Sequence, residues 1–490
     1  MTWSDPLHAA AEMRAAEEAY EGPTLELMER AGTAAAEAVL RHYPDARRIA
    51  VWCGGGSNGG DGLVVARKLR EARRDVEARL AAPEEKFQRD AGEMLKQARE
   101  SGVPIGAGSE ADLVVDAVYG TGFSGAPRRP AIRLLEELSA LSAPVLALDV
   151  PSGVDASTGE AAGPTVTAER TITFHGLKVG HVVAPGRFHA GEVEVADIGL
   201  PSSDTRHSRV SRDILELVPR RGPRDNKYTA GSVLVVGGST GLTGAPSLTA
   251  EAALRAGAGY VAACVPASLN IVFEQRLVEV VTRPCADEDG VMKIEATDVV
   301  LEAAERVDAI ALGPGIGRRN DVRALVGFLL DRLDKPVVLD ADALWALIGN
   351  LDWVFAREAR TVLTPHAGEL ARLLGRESKW VSAHRLDAAQ AGADDVGATV
   401  LLKGADTLVA SPGRGVLVCD LGNPGLATAG TGDVLTGIVA AFLAKGMEPR
   451  LAAAAAAAAG GVAAGLAAER HGVSGLIARD VVESLSVALS

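Results

Sequence analysis

Two glycine-rich segments of this chain carry an aspartate, Gly59-Gly60-Asp61-Gly62 and Gly430-Thr431-Gly432-Asp433. Glycines let backbone N–H groups approach an anion closely, a helix N-terminus attracts it, and a neighbouring carboxylate can bind or exchange a proton. Before the first segment stands the apolar run Ile49-Ala50-Val51-Trp52-Cys53, then Gly54-Gly55-Gly56-Ser57-Asn58, and after it the helical pattern Leu63 to Leu69. Strand, glycine turn and helix thus follow in phosphate-binding order, although glycines in such a turn also serve tight packing. Two further polar strand ends are Asp116-Ala117-Val118-Tyr119-Gly120-Thr121-Gly122-Phe123-Ser124-Gly125 and Asp149-Val150-Pro151-Ser152-Gly153. A lone aspartate there is often a cap or turn former. Three polar, glycine-rich strand ends in one sheet are harder to dismiss.

The second segment opens the pattern Val434-Leu435-Thr436-Gly437-Ile438-Val439. N–H groups at Gly430 to Gly432 would form an anion hole for a transferring phosphoryl group, with Asp433 as its base; the plainer alternative is close packing, with Asp433 a cap. Lys403-Gly404-Ala405-Asp406-Thr407 follows a β-rich run and offers a lysine and a hydroxyl to nucleotide phosphates. Thr364-Pro365-His366-Ala367-Gly368-Glu369 follows another, and at such a strand end ligand contact is the better reading of the imidazole than a spectator role.

These residues need elements to hold them. At 490 residues, with 47% hydrophobic and 23% charged side chains and 55 glycines, the chain should form two α/β domains of roughly 200 to 300 residues each. Apolar runs at 48–53, 76–81, 113–118, 145–148 and 171–174, and then at 232–236, 260–265, 309–312, 337–339, 361–363 and 400–402, alternate with helical stretches such as 63–73 and 131–141. The pattern predicts two open, parallel sheets with helices on their faces, in which ligands bind beyond the carboxyl ends of the strands. Periodicity lapses between Asp197 and Asn226, so the expected division is 1–205, a linker 206–225, and 226–490. A formal charge of −14 without a basic block argues against nucleic acid. The four cysteines lack metal or disulfide spacing. The N-terminus lacks a secretory pattern, and the Ala-rich run Leu451 to Ala468 reads as a packed helix rather than a membrane span. A cytoplasmic enzyme, assembling as a homo-oligomer, is expected.

From Met13 to about Leu200 the chain resembles the YjeF N-terminal, or NAD(P)H-hydrate epimerase, domain. The likeness rests on G-x-N-G-G-D-G, D-x-x-x-G-T-G and D-x-P-S-G in that order, with Leu27-Met28-Glu29-Arg30-Ala31-Gly32 before them and Thr173-Phe174-His175-Gly176-Leu177-Lys178-Val179-Gly180 after. The resemblance implies interconversion of R and S NADHX and NADPHX, the hydrated dinucleotides. It places substrate against Ser57, Asn58, Gly59, Gly60 and Asp61, against Gly120, Thr121, Gly122, Phe123, Ser124, Gly125 and Ala126, and against Asp149. It also implies a potassium ion held by Asn58, Asp116 and Ser152. Ser57 departs from the two asparagines usual before Gly-Gly-Asp. Asp149 is the candidate acid/base, with Lys178 its charge partner; the alternatives are ribose binding and a plain salt bridge.

From about Asn226 to Ser490 the chain is similar to the ribokinase-like, ADP/ATP-dependent NAD(P)H-hydrate dehydratases. Here the carriers are Lys227-Tyr228, Gly237-Gly238-Ser239-Thr240-Gly241-Leu242-Thr243-Gly244-Ala245, Gly313-Pro314-Gly315-Ile316-Gly317 and Asp340-Ala341-Asp342-Ala343-Leu344, together with the His366, Lys403 and Asp433 segments. By that resemblance Ala245, Gly315, His366 and Asp433 contact the hydrated dinucleotide, while Lys403, Gly404, Ala405, Asp406, Thr407 and Gly432 hold the magnesium-bound ADP or ATP. Asp433 would deprotonate the ring hydroxyl, the hydroxyl would be phosphorylated, and phosphate would then be expelled. Two readings compete: a ribokinase-like kinase of a vitamin precursor, and a first domain that is a catalytically silent binding module.

Overall fold

Valine- and leucine-rich strands are buried on both faces and run parallel, because helices return the chain over the sheet between them. The computed structural model describes residues 3–106 and 111–490. It divides into one unit of residues 6–207 and a second of residues 208–490 that also takes residues 3–5.

In the first unit six parallel strands lie in the order Asp75–Leu80, Arg48–Cys53, Leu113–Ala117, Val145–Leu148, Arg170–Phe174, Glu192–Ala196. The helices Ser57–Glu71, Arg89–Glu100 and Ala131–Ser139 make the return connections. Val51, Leu63, Val65, Val115, Leu146 and Leu148 are fully buried, each worth about 1.5–3 kcal/mol of hydrophobic stabilisation. The order of strands reverses between Arg48–Cys53 and Leu113–Ala117, and beyond the carboxyl ends of that pair lies the crevice where such sheets bind ligands.

The expected glycine turn before a helix at Leu63 is itself helical, since the helix starts at Ser57. Helix propensity is overruled by proximity. A β-carbon on Gly59 would stand 1.6 Å from the Gly54 carbonyl oxygen, and one on Gly62 would stand 2.5 Å from the Ala117 methyl. The glycines therefore pack the helix onto its strand, and the same closeness puts its first turn over the crevice.

The second unit contains an eleven-stranded sheet in the order Ser4–Leu7, His207–Val210, Leu417–Cys419, Thr407–Ala410, Thr399–Leu402, Thr361–Leu363, Val337–Leu339, Ala309–Leu312, Ser232–Val236, Tyr260–Pro266, Val281–Cys285. From Thr399–Leu402 to Val281–Cys285 neighbours are parallel, whereas Thr407–Ala410 is antiparallel to both of its own. The order reverses between Ser232–Val236 and Ala309–Leu312. The stretch expected as a linker carries the strand His207–Val210 and a 3-10 helix Arg212–Leu217, with Val210 and Ile214 buried. Its four-residue strand is too short to show periodicity among prolines and arginines. The helix Pro449–His471 is long and apolar enough to cross a bilayer, but 61% of its most apolar window is buried in the fold, where alanines allow close approach to Thr431–Ala444 and Ala478–Ala488. The four cysteines are free and buried.

Candidate active sites

In the first unit a cavity of about 790 Å³ opens at the strand-order reversal. Of the residues selected in the sequence, Ser57, Asn58, Asp61, Gly120, Thr121, Gly122, Phe123 and Asp149 line it. Gly59 and Gly60 are buried behind the lining. Ser124, Gly125 and Ala126 are exposed and lie outside it. Sequence reasoning missed Met13, Arg14, Glu17, Gln88 and Arg89, which reach the cavity from the helix Ala10–Glu18 and from the start of Arg89–Glu100.

Asp149 follows the strand Val145–Leu148 in a left-handed backbone conformation, φ 65°, a strain that non-glycine residues keep mainly at functional positions. Its Oδ2 accepts from the Thr121 N–H at 2.9 Å, and its Oδ1 stands 2.8 Å from Lys178 Nζ. Lys178 has no exposed surface and also donates to Thr173 Oγ1 and the Phe174 carbonyl, both at 2.7 Å. It sits behind Asp149 rather than in the cavity. Burial pushes the Asp149 carboxyl up, but the Lys178 ammonium and the Thr121 N–H outweigh it and hold the group below its ordinary range. Asp61 faces the same space with the opposite result: burial first, then the Asp149 and Glu17 charges, keep its carboxyl well above the usual value. Beneath them His181 Nδ1 accepts from the Lys178 N–H at 3.0 Å, so Nε2 carries the proton it shares with the Asp149 carbonyl at 2.7 Å. Burial lowers this imidazole to about 4 and it is neutral.

Next to Asp149 lies a set of oxygen groups. The buried Asp116 carboxylate accepts from Ser152 N–H at 2.8 Å, from Ser152 Oγ at 2.7 Å and from Val118 N–H at 3.2 Å. It has no cationic partner among the described residues, and burial lifts it to about 6. Asn58 Nδ2 donates to the Leu148 carbonyl at 3.3 Å, while its buried Oδ1 has no partner among the described residues. Gly120 is pressed between Asn58 and Asp149; a β-carbon there would come 2.8 Å from Asp149 Oδ2.

In the second unit the helix Thr431–Ala444 begins at Gly430, whose φ of 92° turns the chain sharply into it, and among the described residues no side chain caps its first N–H groups. Lys403 extends from the end of Thr399–Leu402 over this helix start, 3.4 Å from where a β-carbon on Gly432 would be. Its Nζ pairs with Asp340 Oδ1 at 2.9 Å and lies 3.9 Å from Glu369 Oε2. Thr364 Oγ1 donates to the same Asp340 oxygen at 2.8 Å. Asp433 is left without a side-chain partner of its own among the described residues; burial, then the Asp340 charge, raise its carboxyl to about 7 despite Lys403.

His366 caps the helix Ala367–Leu373, its Nδ1 accepting from Gly368 N–H at 3.0 Å and Glu369 N–H at 3.3 Å. Its imidazole is 55% exposed, and its Nε2 lies 3.5 Å from Glu369 Oε1. Burial of the ring's inner side, with Lys403 opposing Glu369, lowers it. Gly315 and Ala245 meet across the strand-order reversal, 3.4 Å separating the Ala245 methyl from a β-carbon built on Gly315. Gly404 and Ala405 are exposed and Thr407 is half-buried. Asp406 does not share their orientation: it is 1% exposed and paired with Arg385 Nε at 2.9 Å, so its carboxylate holds the loop from inside. Asp340 and Glu369 were not selected as site residues, although each follows a β-run.

A family model described as YjeF-related protein N-terminus matches residues 24–180, and one described as NAD(P)H-hydrate dehydratase matches residues 233–486. The bifunctional NAD(P)H-hydrate repair enzyme of Moorella thermoacetica is 40% identical over 99% of this chain and 96% of its own length. The chain belongs to the bifunctional NAD(P)H-hydrate repair enzyme family. The Escherichia coli K12 enzyme of the same name is 37% identical over 94% of this chain and 88% of its own. A ribokinase-like superfamily protein from Enterococcus faecalis shares the fold of the second unit, with TM-score 0.50 and 24% identity over 59% of this chain and 97% of that one.

Proposed function

We propose that the first unit interconverts the R and S forms of NADHX and NADPHX, and that the second dehydrates the S form to NADH or NADPH with ADP or ATP as phosphoryl donor. The observation that carries the dehydration is Asp433: a carboxyl at about 7, without a side-chain partner among the described residues, at the start of a helix. Asp433 takes the proton of the ring hydroxyl, whose oxygen attacks the terminal phosphoryl group of the magnesium nucleotide. The helix N–H groups and Lys403 stabilise charge on the transferring group. The ring nitrogen then expels phosphate, a ring proton is lost and the dihydropyridine is restored. Lys403, Gly404, Ala405, Thr407 and Gly432 serve the nucleotide, Asp406 supports their loop, and Ala245, Gly315 and His366 meet the dinucleotide.

In the first unit Asp149 takes the hydroxyl proton as the bond between the hydrated carbon and the ring nitrogen opens to a carbonyl, and returns it as the nitrogen recloses on the other face; Lys178 fixes its position, and Asp61, its carboxyl held well above its ordinary value, faces the same space. Potassium fits the neighbouring oxygens: an orphaned Asn58 Oδ1 and a buried Asp116 carboxylate without a cation are donors suited to a hard, weakly held ion, and Ser152 completes the set. Bound there, the ion would supply positive charge beside the substrate site.

The test is direct. R and S NADHX incubated with the protein, Mg²⁺ and ADP or ATP should both disappear as NADH absorbance returns. No return with either nucleotide sinks the dehydratase reading, and R NADHX persisting at its spontaneous rate sinks the epimerase one.

A further inference from the structure

The cavity of the first unit is acidic. Asp61, Glu17 and Asp149 line it, and Asp90 joins them with its carboxylate accepting from the Thr24 hydroxyl at 2.5 Å. A dinucleotide brings a doubly charged pyrophosphate into this space, and NADPHX brings a third phosphate. Lys178 cannot meet them, being fully buried and bonded to Asp149, Thr173 and Phe174. The cations that do line the cavity are Arg14, from the helix Ala10–Glu18, and Arg89, the first residue of Arg89–Glu100.

Both are exposed, and among the described residues neither side chain makes a hydrogen bond or ion pair. Arginines with no structural employment are ordinary on an open surface, but these two border the cavity that must take a polyanion. Arg89 carries a second mark. Its backbone is left-handed, φ 52°, a conformation that costs a side-chain-bearing residue and that glycine adopts freely. Such strain concentrates at ligand clamps, and here what the position supplies beyond glycine is a guanidinium at the cavity rim.

We propose that Arg14 and Arg89 bind the phosphates of the hydrated dinucleotide in the first unit, a role that rests on the epimerase reading above. A guanidinium is permanently charged and offers paired N–H donors matched to phosphate oxygens, so two of them offset the carboxylates around them and fix the substrate's far end. The hydrated ring is then delivered to Asp149, which lines the same cavity.

Arg89→Gly and Arg14→Gln test this with NADHX and NADPHX, wild type in parallel. Each should raise KM for epimer interconversion roughly tenfold, the loss of one charge-assisted contact, with kcat unchanged. Arg89→Gly should also melt no lower than wild type, since it releases strain. An equal rise with both substrates assigns the arginines to the pyrophosphate; a rise confined to NADPHX assigns them to its additional phosphate. Unchanged KM for both substrates, or a loss in kcat alone, overturns the proposal. Calorimetric binding of ADP-ribose and of its 2′-phosphate reads the clamp separately: weaker binding of either by the variants supports it even if wild type fails to interconvert the epimers, and equal binding of both counts against it.

Discussion

Each unit places a lysine and an aspartate at the carboxyl end of a parallel sheet, and the two use them differently. In the first, Lys178 is committed to the cavity-facing Asp149 at 2.8 Å, so that carboxyl stays ionised and fixed. In the second, Lys403 is committed to Asp340 at 2.9 Å, and Asp433 beside it is left to the effects of burial and neighbouring carboxylates. One arrangement yields a rigid, weakly basic anion, the other a base tuned close to neutral pH. The pairing of the lysine, more than the presence of the aspartate, sets the chemistry available at each site.

The sharpest way to break this contrast is Asp433→Asn, which should lower dehydration by ~10² to 10⁴-fold with little change in KM, read from NADH absorbance. Wild-type dehydration should fall as pH drops through about 7, where Asp433 takes up its proton, while epimer interconversion stays level because Asp149 is held below its ordinary range. The folded protein binds the Asp433 proton more tightly than the unfolded chain does. Its stability contribution is therefore lost as pH rises from the ordinary carboxylate range, about 4, to about 7, and Asp433→Asn should abolish this loss in melting curves taken across that range. A flat dehydration profile would end the account of Asp433 as base. Next in size, Lys178→Met should cost about 3–5 kcal/mol in denaturant unfolding by stranding a buried carboxylate, and the double variant with Asp149→Asn should recover part of it. Full additivity would mean the pair is not coupled. The smallest expected effect is Asp149→Asn alone, slowing epimer interconversion by ~10²-fold with dehydration of the S form untouched; an unchanged rate would leave Asp149 a binding group only.

The parallel sheets and their strand ends were legible in the sequence because buried strands announce themselves as short apolar runs and ligands gather at their carboxyl ends. The grouping of Lys403, His366 and Asp433 followed the same logic, since all three stand just beyond such runs or at a glycine-led helix start. What stayed hidden depends on side-chain direction. Nothing local tells that Asp406 turns inward to Arg385 while Gly404 beside it is exposed. Nor does spacing bring Arg14 and Glu17 from the chain's first helix to Arg89, some residues beyond the second strand, around one cavity. The helical state of Gly59 to Gly62 was missed because their close contacts with Gly54 and Ala117 exist only once the strands are assembled.

The allocation of residues 3–5 to the sheet of the second unit changes how the two activities relate as genetic modules. The epimerase sequence is inserted within the dehydratase sheet's strand sequence rather than simply placed ahead of it. A dehydratase fragment begun at residue 208 would lack the strand Ser4–Leu7 and the first residue of its neighbour His207–Val210, leaving that neighbour an unpaired edge, a template for self-association. Separating the activities for assay is thus better done by inactivating one site in the full chain than by cutting it in two.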